Sequence, residues 1–343
     1  MTFEVISNKK SWDEGYSLFK PVNIDVYFSY DYCKLHELDG KGRVEALFFN
    51  GDNGMILFYP FLIKEIKGYN FDSRYYDIES VYGYGGPVVE GYNQSDMDEF
   101  EINFEDYCNT NNIVAEFIRF HPVLSNQIYF ERGMKIERNR DTVIVDLDGN
   151  LENRWNFSIS SKNRNMIRKA TKSGIEVLIS NDLKTFKKLY KETMTKLNAE
   201  DYYYFCDDYF TQLYKMDKNQ VLLEAKLDGI TIASAFFIFS DCYINYHLAG
   251  SDIRYLKYAP NNLLLFEAIK YGIENKKKKL FLGGGTTSRP DDSLLKYKKS
   301  FSPLVAGFFI GKKIHNKILY DELISQWEFK NKKKAKLFLQ YEY

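Results

Sequence analysis

The sequence is poor in cysteine, has no excess of either charge, and lacks any apolar run long enough to cross a membrane. Each absence excludes something. Its four cysteines among 343 residues, Cys33, Cys108, Cys206 and Cys242, stand far apart, with no CxxC pair and no histidine at metal-ligand spacing. That pattern argues against a disulfide framework and against a structural metal, and the cysteines read as buried, unreactive thiols. The 47 basic residues are balanced by 47 acidic ones, so the chain is not built as a polyelectrolyte and DNA is not an expected partner. The apolar run around 235–239 is far shorter than the roughly 20 residues of a membrane span. The opening MTFEVISNKKSWDEG has no signal-peptide core, so the expected location is the cytoplasm, with at most peripheral membrane contact.

What is present is enough apolar material for large cores, 45% hydrophobic and 17% aromatic. The length exceeds the size at which a single core stops growing, which favours two domains. Two stretches then read alike. In the first, strand-like runs at 43–49 and 55–66 flank Asn-Gly turn signals, a third at 78–84 ends on Gly85-Gly86-Pro87, a helix is expected over 94–109 with Phe100, Ile102 and Phe104 among its apolar positions, and a strand follows over 114–120. In the second, strands at 221–225 and 230–239 flank Asp228-Gly229, a third covers 242–248, a helix covers 261–274, and a short strand at 280–282 ends on Gly283-Gly284-Gly285. The order is strand, strand, strand, helix, strand in both. Two copies of one α+β unit are implied, and a three-strand meander followed by helix and strand is the core of the GNAT acyltransferase fold. Domains are expected over 1–146 plus about 310–343, and over 147–309.

Coenzyme A, the usual donor of that fold, needs bare backbone N–H groups around its pyrophosphate at a helix start. Here the corresponding stretch, GSDIRYLKYAPNNLLLFEA (250–268), carries Tyr255, Leu256, Tyr258 and Pro260 where glycine is needed. The donor site for coenzyme A is therefore incomplete. GGGTTS also fails as a nucleotide loop, having neither G-x-G-x-x-G spacing nor a Lys-Ser/Thr at a helix head; it reads as a strand end where the backbone turns and a ligand comes close. Asp291 and Asp292 read as caps for a helix starting near Leu294. A basic helix over 161–173, stopped by Gly174, buries Met166, Ile167 and Ala170 and turns Lys162, Arg164, Arg168, Lys169 and Lys172 outward, toward a polyphosphate or a tRNA backbone. The lysine runs at 276–279 and 332–336 read as solvated.

The ordered set YGYGGPVV (82–89), EFIRFHP (116–122), SKNRNMIRKATKSGIEV (161–177), LYKETM (189–194), YHLAGSDIRYLKYAPNNLLLFEAIKYG (246–272), LGGG (282–285) and DDSLLKYKKSF (291–301) resembles the Fem-type aminoacyltransferases, bacterial enzymes that add amino acids to peptidoglycan precursors. The resemblance covers nearly the whole chain. It implies twin GNAT-like domains and aminoacyl-tRNA as donor. It also implies that Tyr297-Lys298 is the family's aromatic-lysine pair, with Lys298 placed to stabilise the charge of the tetrahedral intermediate or the donor's terminal phosphate. His121 stands where an acid is a candidate base for the attacking ammonium, and a histidine can do the same work. Lys34 and Tyr246 resemble residues that contact the acceptor's nucleotide, and Gly283, Gly284 and Gly285 let the substrates approach.

Two departures narrow the acceptor. Tyr203-Tyr204-Phe205 replaces the threonine and arginine of members acting on soluble UDP-muropeptide, and no helical coiled-coil arm is present. Three readings follow. The first is transfer of an aminoacyl group from tRNA to an amine of a peptidoglycan peptide or of an amino sugar. The second is an acyl-coenzyme A-dependent N-acetyltransferase of a nucleotide-linked amino sugar. The third is a non-catalytic binder of tRNA or nucleotide sugar. None needs a resident cofactor or metal.

Overall fold

The computed structural model describes residues 1–342. The chain divides into two units, Met1–Asn139 together with the segment from Phe308 onward, and Arg140–Gly307. Both are GNAT-like α+β units, as the repeated pattern implies. Residues 140–146, expected with the first unit, belong to the second, because 142–146 pair antiparallel with the strand Lys279–Gly284.

In the first unit, Thr2–Ile6, Arg43–Asn50, Ile56–Glu65 and Tyr76–Glu79 form an antiparallel meander. The strand Ile113–Arg119 then pairs in parallel with Tyr76–Glu79. A parallel neighbour requires a crossover, and the helix Gln94–Thr110 supplies it. Phe100 and Phe104 of that helix stack in the core, whereas Ile102, also named among its apolar positions, is exposed. The reason is geometric: two residues along a helix is about 200° of rotation. The third strand ends at Glu79 rather than near 84, since Gly83 and Gly86 adopt φ of +90° and +84° and fold the following segment into a loop. On the far side, 310–314 pair antiparallel with Ile113–Arg119. The helix Lys317–Asn331 packs Leu319 and Leu323 beside Val114 and Ala115.

The second unit repeats the plan. Gln220–Leu227, Ile230–Phe239 and Tyr243–Ser251 form the meander, with Glu176–Ile179 on its outer edge. The helix Pro260–Glu274 crosses to Lys279–Gly284, parallel to Tyr243–Ser251. This parallel ladder is short. It joins 243–245 to 279–281 and stops, although the first strand runs on to Ser251. A register shift between Phe281 and Gly283, with Gly283 at φ +73°, turns the second strand at that point, as a bulge does. The two strand ends beyond it have no ladder between them, and this opening positions the site.

One wall of the opening is fixed by backbone contact. A Cβ on Gly250 would lie 2.4 Å from the Leu189 carbonyl carbon and the Tyr190 nitrogen of the helix Leu183–Lys196. Main chain cannot yield as a side-chain tip does. Gly250→Ala is therefore expected to lower the unfolding free energy by roughly 1–3 kcal/mol, read from urea titration of the purified variant against the parent chain.

Candidate active site

The opening strands lead to a seven-residue helix, Ser293–Lys299, too short to persist without tertiary support. Asp292 supplies it. Its Oδ1 accepts from Leu295 N at 2.9 Å, capping the helix, while Oδ2 accepts from Thr286 Oγ1 at 2.7 Å and from Thr287 N and Oγ1, both at 3.0 Å. One carboxylate thus ties the glycine turn to the helix. These hydrogen bonds outweigh its desolvation and hold it far below the usual carboxylate range. Gly285 is required beside it, because a Cβ there would stand 2.3 Å from Asp292 Oδ1.

Lys298 is positioned by this arrangement. It is only 8% exposed, and its Nζ donates to the Gly284 carbonyl at 2.7 Å, with the Tyr246 ring at 6.0 Å. Burial, reinforced by the Arg140 guanidinium against the pull of Asp292, lowers its pKa to about 8. Arg140 donates Nη1 to the next carbonyl, Gly285, at 2.9 Å. Two cations therefore converge on consecutive carbonyls of the glycine turn. An ammonium has three N–H donors, and among the described residues Lys298 uses one. The hydroxyl of Tyr297 is also enclosed with no hydrogen-bond partner, and burial together with Tyr246 keeps it protonated. Its neighbour on the strand, His247, faces Tyr209 Oη at 2.9 Å and is held neutral by burial, with a pKa lowered to about 3.

The structure thus brings together Tyr246, Gly283, Gly284, Gly285, Tyr297 and Lys298. Of the other expected residues, Arg164 and Arg168 lie on the helix Ser161–Lys172, and Lys34 and His121 belong to the first unit. Arg164, expected to face outward, donates Nη1 to the carbonyls of Trp155, Asn156 and Ile159 and clasps the preceding turn. Arg168 does face outward, over the Trp155 ring at 5.1 Å, and shares that face with exposed Lys162, Lys169 and Lys172. Lys34 belongs to the first unit and pairs with Glu37 at 2.8 Å on its own helix, Tyr30–Leu38.

His121, also of the first unit, is wholly buried. Its Nε2 meets Asp25 Oδ2 at 3.0 Å and its Nδ1 accepts from Leu124 N at 3.3 Å. Both ring nitrogens are engaged, and Tyr27, Phe28 and Tyr84 pack around the ring. In this structure both nitrogens of the expected base are thus held by residues of the first unit. Arg140 escaped sequence reading entirely. It lies within a strand, in no recognisable motif, and only the strand register, which sets Thr142 opposite Gly284, brings Arg140 two residues further on to the turn.

Comparison with known proteins gives the following. The FemAB family matches over residues 91–227 and 211–320. Among curated proteins none matches the sequence. The fold is similar to that of FemX, at 18% identity and a TM-score of 0.70, over 94% of this chain and 99% of that one. It is also similar to the C-terminal domain of a putative lysylphosphatidylglycerol synthetase from Agrobacterium fabrum, at 12% identity and a TM-score of 0.54, over 92% and 97%. L-PGS from Bacillus licheniformis matches at 15% identity and a TM-score of 0.51, over 78% and 84%.

Asp292 offers a direct test of how the site is held. Asp292→Ala removes the cap and the threonine tether, and is expected to cost about 1–2 kcal/mol of stability. Asp292→Asn keeps an acceptor for Leu295 N, and should recover much of that stability while leaving the threonine contacts weakened. Equal destabilisation of both variants in urea titration would show that the charge, and not the cap, holds the turn.

Proposed function

The chain belongs to the FemAB family and is an acyltransferase, and from that premise we propose that it moves an aminoacyl group from a charged tRNA to an amine of a cell-envelope precursor, a peptidoglycan peptide or an amino sugar. The observation that carries the reading is Lys298, a buried ammonium with N–H donors to spare beside a glycine turn. The amine nitrogen attacks the ester carbonyl, an amide C–N bond forms as the bond between the acyl carbon and the ribose oxygen breaks, and the proton shed by the amine ends on that ribose oxygen. Between those states the carbonyl oxygen carries negative charge. A cation preset in a dry site stabilises that charge more than it stabilises the neutral ester, which is what lowers the barrier.

The donor assignment rests on the second unit. The turn Ile253–Tyr258 fills the approach to the helix Pro260–Glu274 with bulky residues, and Pro260 at its first turn has no N–H to offer a diphosphate. That disfavours coenzyme A. The exposed Lys162, Arg168, Lys169 and Lys172 suit a nucleic-acid backbone. One structural neighbour is named as a putative synthetase of lysylphosphatidylglycerol, a product carrying an aminoacyl group.

The test is transfer of labelled amino acids from a pool of charged tRNAs to an amine acceptor. The expected signal is RNase-sensitive and is not replaced by acetyl-coenzyme A. Lys298→Ala should lower kcat/KM by about 10²–10³-fold with the fold intact. With Lys298 required as a cation and its pKa lowered to about 8, the parent's kcat/KM should fall as pH rises through that value. Lys298→Arg, always charged, should lack that limb. Full activity in Lys298→Ala would remove the lysine from the mechanism.

A further inference from the structure

We propose that the helix Lys317–Asn331 and the lysine-rich segment after it form a docking surface for an anionic lipid membrane. Ile318 and Phe329 are 85% and 89% exposed, the two most exposed large apolar side chains among the described residues. Both lie on this helix. They are eleven positions apart, which at about 100° per residue places them within about 20° of one line along the helix, roughly 16 Å apart. The opposite face holds Leu319 and Leu323 in the core of the first unit. The helix is thus anchored by one face and presents the other. Glu322 and Ser325 lie between Ile318 and Phe329 on the presented line, so the contact is shallow, at headgroup depth. No described helix is long and apolar enough to cross a membrane, and the surface described is one that lies on a bilayer.

The helix itself carries Asp321, Glu322 and Glu328, but from Phe329 to Gln340 every charged residue is a lysine. Lys330, Lys332, Lys333, Lys334 and Lys336 crowd the end of the helix and the segment after it. Lys334 pairs with Glu328 at 2.7 Å, while the other four make no ion pair among the described residues. Leu337, 58% exposed, follows directly. The lysine run alone reads as a solvated surface, but lysines flanking exposed Phe329 and Leu337 do not. Water gains nothing from those apolar side chains, whereas an acidic bilayer takes phenylalanine and isoleucine into its interface and meets the lysines with phosphates. A nucleic-acid backbone would satisfy the lysines and leave Ile318 without a role. This inference is independent of the catalytic reading, since its readout is binding.

The test is co-sedimentation of the full chain with vesicles of phosphatidylcholine containing about one-third phosphatidylglycerol, and with phosphatidylcholine alone. Retention is expected on the anionic vesicles only, weakening as salt rises. Replacing Lys332, Lys333 and Lys336 together by Glu should weaken it by roughly tenfold or more. Ile318→Ser with Phe329→Ser should weaken it about fivefold or more, with thermal unfolding unchanged because both residues are exposed. Absence of retention on anionic vesicles overturns the proposal. So does retention that the two serine substitutions leave unaltered, and so does salt-sensitive binding of RNA, but not of vesicles, through the same lysines.

Discussion

The hydrogen bond from Lys298 Nζ to the Gly284 carbonyl, made by an ammonium with almost no access to water, sets the terms for everything around it. Burying a cation costs several kcal/mol unless its donors are met, and here Asp292, the carboxylate that acts on it, is already engaged by threonines and by the helix start. The lysine is held by a main-chain dipole in place of a counter-ion. Its charge is therefore uncancelled and its pKa is low. The same constraint explains the glycines: Gly283 must turn the strand, and Gly285 must admit the carboxylate that fixes the helix. Remove any of these and the ammonium loses its position, its dryness or both.

The duplicated unit is put to two uses. In the second unit the parallel ladder stops after three residue pairs, and a cation waits beside the opening. In the first, the corresponding ladder continues into a bridge between Gly85 and Phe120. Asn126 then donates to the carbonyls of Gly85 and Pro87, and His121 with Asp25 fills the space behind. One topology gives an open strand end in one copy and a sealed one in the other, through what each loop carries.

Much of this was legible in the sequence, and the failures have physical causes. Hairpin turns and helical spacing located the strand, strand, strand, helix, strand order of both units, because those patterns are local. Lys298, Tyr297 and the glycine turn were found because they sit within twenty residues of one another. Arg140 was invisible, since its approach to Gly285 depends on strand register over about 145 positions of chain. The surroundings of His121 were invisible too, because sequence shows a titratable ring but not the Asp25 and Leu124 partners that hold it. Arg164 sits in a basic run and was read as outward for that reason, while it donates to the Trp155 and Asn156 carbonyls of the π-helical turn Arg154–Ser158 before it.

The central claim is that Lys298 is a desolvated cation poised near neutral pH. Its most direct test is an NMR titration of the chain labelled at lysine Cε, with the Lys298 signal assigned by its loss in Lys298→Arg. The account predicts a midpoint near pH 8. A midpoint at the free-lysine value of about 10.4 would put the ammonium in water and contradict the account at its base.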